Sequence, residues 1–136
     1  MSEALEQSRN ALPACFPNPP VGCVLVKDEV VISRGHTKEP GKNHAEADAL
    51  ENYSGSLENV SAYVTLEPCS FHGRTPSCAE SLIKRNIGHV YVAIQDPDTR
   101  NSGKGIAMLK NAGITVTENI MAEPVLEFLA PYLNKG

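Results

Sequence analysis

From residue 61 onward, the sequence alternates between short β-branched runs and segments of good helix formers. The predicted elements are strands at 62–66, 89–94 and 114–116 and helices at 78–86 and 106–111. Strands separated by a helix pair in parallel through right-handed crossovers, which places helices on both faces of a sheet. The alternation therefore predicts an α/β fold. It also predicts that the last two strands are parallel, because the segment between them is too long for a tight hairpin.

The remaining segments add a hairpin and three helices. The predicted elements are a helix that ends at Pro13, strands at 21–26 and 30–32, and helices at 45–52 and 124–133. A proline-rich run at 17–20 makes a stiff loop before the hairpin. Because the chain shows no repeat, low-complexity tract or linker, we expect one domain over residues 1–136.

Charge, cysteine content and hydrophobicity limit the kinds of molecule that this protein is expected to bind. The formal charge of −4 argues against the basic face that binds long nucleic acids. The four cysteines show no disulfide framework and no secretory leader precedes them, so we expect a reducing, cytoplasmic setting. No apolar run approaches the ~20 residues that cross a bilayer, and we expect no membrane partner. A small-molecule substrate is favoured.

Four residues lie where chemistry is expected. His44 and Glu46 are two residues apart at the start of a predicted helix, which alone is a weak signal. Cys69 directly follows a predicted strand, and Cys78 opens the next helix. Because strand ends and helix starts meet at one edge of such a sheet, where ligand sites form, we expect both cysteines at that edge.

One histidine and two cysteines provide three ligands for a tetrahedral Zn²⁺ and leave a fourth position for water. That pattern is typical of a catalytic rather than a structural site. We therefore predict that His44, Cys69 and Cys78 bind zinc and that Glu46 moves protons. Residues two apart do not share a helix face, so Glu46 is expected at the helix N-terminus, beside the metal rather than on it.

Other interpretations use the same residues. Isolated cysteines often serve as small buried apolar side chains, and we assign Cys15 and Cys23 to that role. A zinc module without catalysis would keep the ligands and dispense with Glu46. A base deaminase acting on nucleic acid would need a basic, aromatic rim, whereas this chain has three Phe, four Tyr and no Trp.

The order of motifs resembles the cytidine-deaminase superfamily. His-Ala-Glu is followed by a strand that ends in Thr-Leu-Glu-Pro-Cys and then by a second cysteine. With nine positions from one cysteine to the next, the chain is more similar to the deaminase domain of riboflavin biosynthesis. The similarity also covers residues 17–23, 95–97 and 103–106, and so spans nearly the whole chain.

The resemblance implies a three-layer α/β/α fold with a five-stranded mixed sheet. It implies hydrolytic, zinc-dependent deamination of an aminopyrimidine, with the phosphoribosylated diaminopyrimidine of riboflavin biosynthesis as the substrate. The alternative is a different small aminopyrimidine, nucleoside or base. The resemblance further implies a homo-oligomer without the reductase domain often fused to such deaminases, and a separate reductase as a possible pathway partner.

The candidate substrate-binding residues are Asn18, His36, Phe71, Arg74, Asp96 and Lys104. The Asn18 amide can read a pyrimidine edge through its donor and acceptor. The resemblance directs His36 and Arg74 to the ribose and phosphate and brings in Asp96, and Arg74 suits a phosphate because its fork bonds two oxygens. Lys104 opens a helix and could add a phosphate contact.

Three positions depart from the family pattern. Phe71 replaces a common histidine, Asp98 a usual asparagine, and Asp48 the second histidine that often follows the His-Ala-Glu run. Asp98 adds a charge that would repel an anionic substrate, whereas Arg74 favours one. The departures leave the predicted metal ligands intact and bear on the substrate.

Overall fold

The computed structural model describes residues 1–70 and 76–133. Its elements, in chain order, are α1 (Ser2–Asn10), β1 (Gly22–Lys27), β2 (Val30–His36), α2 (Ala45–Glu51), β3 (Ser61–Leu66), α3 (Cys78–Lys84), β4 (His89–Ile94), α4 (Lys104–Asn111), β5 (Thr115–Thr117) and α5 (Ala122–Leu133). Each predicted strand and helix is present, with differences at the ends. The largest difference is β2, which continues to His36, beyond the predicted end at Ile32.

The five strands form one mixed sheet in the order β2-β1-β3-β4-β5. β1 runs antiparallel to both β2 and β3, whereas β3, β4 and β5 are mutually parallel. The predicted mixed sheet with its last two strands parallel is therefore confirmed. The helix between β4 and β5 makes the crossover that parallel pairing requires.

Two glycines fix helices on opposite faces of the sheet. A Cβ at Gly22 would collide with the Ala4 carbonyl oxygen in α1, and a Cβ at Gly35 would collide with the Ala45 carbonyl oxygen in α2. Cys23, next to Gly22, pairs with Gly35 across β1 and β2, so the two glycines face opposite ways. These close approaches let α1 and α2 pack directly on the strand backbone.

The other helices complete three layers. The Arg9 guanidinium lies 5.1 Å from the centre of the Phe128 ring, which joins α1 to α5 on one face, while α3 packs against both α2 and α4 on the other. Buried aliphatic side chains such as Leu25, Leu82 and Val92 fill the space between the layers. Within the described ranges, no helix is long and apolar enough to cross a membrane.

Turns and helix ends differ in detail from the sequence interpretation. The hairpin turn has positive φ at Asp28 and Glu29, while Lys27 pairs with Val30 inside the ladder; this is the backbone geometry of tight two-residue hairpins. After α3, the left-handed residue is Asn86 and not the nearby Gly88. Gly88 instead lies against the Glu58 carbonyl oxygen, 2.7 Å from where its Cβ would be.

The sheet brings distant segments together at one edge. Because β1 is antiparallel to β2 and β3, the start of β1 lies beside the ends of those two strands, and the end of β4 lies beside the end of β3. The proline-rich loop before β1, the loop after β2 and the segments after β3 and β4 therefore meet there.

Candidate active site

Three potential metal ligands converge at this edge. His44 is the N-cap residue of α2, Cys69 follows β3, and Cys78 is the first residue of α3. The Nδ1 atom of His44 lies 3.8 Å from Cys69 Sγ and 3.5 Å from Cys78 Sγ. Among the residues that the structure describes, these three are the group of His, Cys, Asp and Glu side chains close enough to share a metal ion.

The spacing fits zinc. Tetrahedral Zn²⁺ with Zn–S of about 2.3 Å and Zn–N of about 2.0 Å holds a nitrogen and a sulfur ligand about 3.6 Å apart. The two observed nitrogen–sulfur distances bracket this value. One imidazole and two thiol groups also form the soft donor set that zinc prefers. The residues present therefore fit a zinc site with three protein ligands.

Hydrogen bonds join Cys69 to the start of α3. The Cys78 amide donates to Cys69 Sγ at 3.3 Å, and the Ala79 amide donates to the Cys69 carbonyl oxygen at 3.0 Å. The Ser77 hydroxyl caps the helix by accepting from the Glu80 amide. Both sulfur atoms are thereby held relative to the same helix N-terminus.

Hydrogen bonding within the site separates the two thiols in acidity. The Cys78 side chain and, more weakly, the His44 ring lower the pKa of the Cys69 thiol to about 4, although burial opposes them. The hydrogen bond to Cys69, together with burial, raises the pKa of the Cys78 thiol. A thiolate at Cys69 provides the negative charge that a cationic metal needs.

Glu46 lies in the first turn of α2 and is 4% exposed. Burial first, and then the charge of Cys69, raise the pKa of its carboxyl to about 7. A carboxyl with that pKa can both accept and release a proton near neutral pH. Glu46 is not among the residues that could share the metal, as expected for a group beside the metal.

A cleft of about 540 Å³ opens over these residues. Its floor includes His44, Glu46 and Cys69. Its described walls are the proline-rich loop around Asn18, the segment after β4 with Asp96, Asp98 and Arg100, and the end of α5 at Tyr132 and Leu133. This volume accommodates a small-molecule substrate.

Comparison with known proteins identifies the family of this chain. Residues 1–94 match the family described as the cytidine and deoxycytidylate deaminase zinc-binding region. The chain belongs to this family. The match includes all three metal-site residues and Glu46, and zinc is therefore the metal of this deaminase.

The names of individual relatives are more specific than the description of the family. The deaminase is 47% identical to the riboflavin biosynthesis protein RibD of Chlamydia muridarum, over 88% of this chain and 32% of that protein. It is 39% identical to the diaminohydroxyphosphoribosylamino-pyrimidine deaminase of Buchnera aphidicola, over 100% of this chain and 89% of that protein. It superimposes on Acinetobacter baumannii RibD with a TM-score of 0.92 and 42% identity, over 97% of this chain and 37% of that chain.

These relatives differ in how much of their length the chain spans. The chain spans about a third of the length of the RibD proteins that it matches, at 32% and 36% in two of them. It spans 89% of the Buchnera aphidicola deaminase. The sequence shared with these relatives covers 88% to 100% of this chain.

The structure brings some of the predicted substrate residues to the cleft and leaves others away from it. Asn18 and Asp96 line it. His36 lies at the end of β2 with Nε2 3.2 Å from Lys38 Nζ, and Lys104 is exposed on the first turn of α4; neither is among the lining residues. Phe71 and Arg74 lie outside the described residues.

Two glycines beside Lys104 have structural reasons of their own. Gly103 has a φ of +81° at the N-cap position of α4, a conformation that favours glycine. A Cβ at Gly105 would collide with the Pro68 carbonyl oxygen. This pair of glycines therefore lets α4 approach the segment that carries Cys69, independently of any contact by Lys104.

Glu67 organises the cleft, and sequence reasoning gave it no role. It is 3% exposed, and its carboxylate accepts from the backbone amides of Asp96, Gly103 and Ile106, each at 3.0 Å. Glu67 lies two positions before Cys69, and these bonds hold both ends of the loop after β4 close to the segment that carries Cys69. The sequence did contain a signal for this role, because Glu67 is a charged residue directly after a buried strand. A carboxylate buried there needs several hydrogen-bond donors.

The fully buried Asn101 side chain reinforces this connection. Its amide donates to the Pro68 carbonyl oxygen at 3.2 Å and to Asp96 Oδ2 at 3.3 Å. The loop that contains Asp96 is thus fastened at its base to the segment that leads into the metal site. We refer to residues 95–103 below as the rim loop.

The departures at Asp48 and Asp98 have different surroundings. Asp48 accepts from the His36 amide at 3.1 Å and lies 3.3 Å from Lys38 Nζ, and it does not line the cleft. Asp98 does line it, paired with Arg100, whose hydrogen bonds lower the pKa of the Asp98 carboxyl to about 2. Of these two changes, Asp98 is the one placed to affect substrate binding.

Proposed function

We propose that this deaminase hydrolyses the exocyclic amine of an aminopyrimidine, with the phosphoribosylated diaminopyrimidine of riboflavin biosynthesis as the substrate. The observation that carries the reaction is the buried Glu46 carboxyl, which lines the cleft together with His44 and Cys69 of the three-residue metal group. This arrangement places a proton carrier and a three-ligand metal site within one cavity that is open to a small molecule.

The chemistry divides between the metal and Glu46. A bound Zn²⁺, held by His44, Cys69 and Cys78, would supply the Lewis acidity that makes water nucleophilic near neutral pH. Glu46 accepts the proton of the attacking water and passes it to the ring nitrogen. It then takes the second proton of that water, from the hydroxyl now bonded to the ring carbon, and delivers it to the amine, which departs as ammonia while the carbonyl forms. A pKa of about 7 suits a carboxyl that works in both directions.

Recognition of the pyrimidine falls to the wall of the cleft. Asn18 lies in the proline-rich loop between Pro17 and Pro19, and all three line the cleft. Prolines restrict the backbone, so the Asn18 amide is presented with little freedom. Its carbonyl can accept from, and its NH₂ donate to, the polar edge of the ring.

The identity of the substrate is supported by the relatives. The Buchnera aphidicola protein, matched over 89% of its length, is a diaminohydroxyphosphoribosylamino-pyrimidine deaminase by name. The alternative is a less charged aminopyrimidine, which Asp96 and Asp98 at the cleft would favour because carboxylates repel a phosphate. The phosphate therefore separates the two substrates experimentally.

We further propose a cytoplasmic homo-oligomer whose product passes to a reductase. A related Thermotoga maritima structure is described as a diaminohydroxyphosphoribosylaminopyrimidine deaminase and 5-amino-6-(5-phosphoribosylamino)uracil reductase, and this chain covers 38% of it. A deaminated pyrimidine from this chain would be the corresponding substrate for reduction.

Ammonia release tests the proposal. Purified protein with zinc is offered the phosphoribosylated diaminopyrimidine, its dephosphorylated form, cytidine, deoxycytidylate and cytosine at equal concentrations. We expect the highest kcat/KM for the phosphoribosylated diaminopyrimidine. A higher kcat/KM for any other compound in the panel would contradict the proposed substrate, and no ammonia from any of them would contradict aminopyrimidine deamination.

A further inference from the structure

The charges that line the cleft are unequal in sign. Four of the described lining residues are acidic: Glu46, Glu67, Asp96 and Asp98. Arg100 is the one lysine or arginine among the described residues that line it. A substrate that carries a phosphate would enter a cleft whose described part holds more carboxyl groups than cations.

Most of these acids are already engaged. Glu46 is buried as the proton carrier, and Glu67 is buried against three backbone amides. Asp96 accepts from the Asp98 amide at 3.0 Å and from the Asn101 side chain at 3.3 Å. Asp98 is the acid of the rim loop whose side chain is 38% exposed, and so it is the one that an incoming anion meets.

The Arg100 guanidinium neutralises the Asp98 carboxylate through two hydrogen bonds. Arg100 Nη2 lies 2.7 Å from Asp98 Oδ2, and Nε lies 3.1 Å from Oδ1. An arginine carries five N–H donors in a rigid plane, so a guanidinium can serve a carboxylate and an anionic ligand together. The pair therefore offers an oriented guanidinium at the cleft.

The backbone fixes the pair in place. Asp98 Oδ1 also accepts from the Arg100 amide at 3.0 Å, and the Asp98 carbonyl oxygen accepts from the amides of Asn101 and Ser102 at 2.9 and 2.8 Å. Glu67 holds the rim loop at Asp96 and at Gly103. The backbone position of Arg100 is thus set by these hydrogen bonds, although its side chain is 72% exposed.

We propose that Arg100, oriented by Asp98, is a specificity-determining residue that contacts the anionic group of the substrate. This inference rests on the proposed function, because it assigns a role within the same cleft. It also accounts for Asp98, since the charge that would repel a phosphate is present together with the arginine that compensates it. The phosphate preference of this deaminase therefore depends on Arg100.

The test compares matched substrates with and without the phosphate. kcat/KM is measured for the phosphoribosylated diaminopyrimidine and its dephosphorylated form in the parent, Arg100→Ala, Arg100→Lys and the control Lys110→Ala. Lys110 has the same charge but lies at the far end of α4, where it pairs with Glu118. Inhibition by inorganic phosphate is measured in the same four proteins.

We expect Arg100→Ala to lower kcat/KM for the phosphorylated substrate by about tenfold to a hundredfold, as for loss of a charged hydrogen bond. The value for the dephosphorylated substrate should stay within about twofold. Arg100→Lys should fall in between because it keeps the charge without the fork. Inhibition by inorganic phosphate should weaken in Arg100→Ala and stay unchanged in Lys110→Ala.

Two results would overturn the inference while the proposed substrate stands. In the first, the parent prefers the phosphorylated substrate and Arg100→Ala keeps the full preference. In the second, Arg100→Ala lowers kcat/KM equally for both substrates, which indicates a structural role. A parent without any phosphate preference would overturn the proposed substrate and, with it, the inference.

Discussion

The metal centre and the rim loop lie at the same edge of the sheet but are held in different ways. The candidate ligands His44, Cys69 and Cys78 lie at the start of a helix, in the short segment after a strand and at the start of another helix. The rim loop has no regular structure over most of its length and is fastened by side chains to backbone amides. A site for shared chemistry is thus built on regular elements, whereas the part that selects the substrate lies on a loop that can change.

The strongest test of this contrast is removal of a ligand. Cys78→Ser should lower zinc affinity by more than about a hundredfold, since even indirect changes around a zinc site cost 10- to 100-fold. Activity should fall to background. Zinc per chain is measured by elemental analysis after dialysis against a chelator. Cys15→Ala, which alters a buried cysteine outside the metal set, should retain zinc; full zinc in Cys78→Ser would remove that residue from the site.

Next in size is the loss of the proton carrier. Glu46→Gln keeps the shape of the side chain but cannot shuttle protons, so kcat should fall by about 10²- to 10⁴-fold. Zinc content and the unfolding midpoint should remain close to those of the parent. Glu51→Gln, at the exposed end of the same helix, is the control. A kcat within tenfold of the parent would assign the proton transfers to another group.

A smaller effect is expected where the two regions join. Glu67→Gln replaces a carboxylate that accepts three backbone amides by an amide with one acceptor oxygen. It should lower the free energy of unfolding by about 1.5–3 kcal/mol, the range for hydrogen bonds to a charged group. KM should rise because the rim loop loosens, while zinc content stays at one per chain. An unchanged KM together with an unchanged unfolding midpoint would show that Glu67 does not connect the regions.

The smallest effect separates two interpretations of the Gly-Lys-Gly segment. Gly105→Ala should lower the free energy of unfolding by about 1–3 kcal/mol, because its Cβ overlaps the Pro68 carbonyl oxygen. Lys104→Ala should change it by less than about 0.5 kcal/mol, as is usual for an exposed side chain. Thermal and denaturant unfolding measure both. A lower kcat/KM for the phosphorylated substrate in Lys104→Ala would instead support the predicted phosphate contact.

The metal ligands and Glu46 were predictable because their signal is local. Each residue lies next to a recognisable strand end or helix start. The residue types and their order match a catalytic zinc site. No role in the cleft was predicted for Glu67 or Arg100. The partners of Glu67 lie 29 to 39 positions along the chain, and Arg100 reaches the cleft only because the rim loop folds back on Glu67.

The sequence alone was enough to predict the α/β class and the parallel pairing of the last two strands, and to select His44, Cys69, Cys78 and Glu46 as candidate site residues. These follow from short-range patterns: hydrophobic periodicity, the lengths of connections and the spacing of ligands. The tertiary structure was needed to show that Asp98 and Arg100 line the same cleft as Glu46, whereas Asp48 and Lys104 do not line it. The physical reason is that a loop is placed by the partners of its backbone amides, and here those partners belong to a carboxylate on a neighbouring strand end.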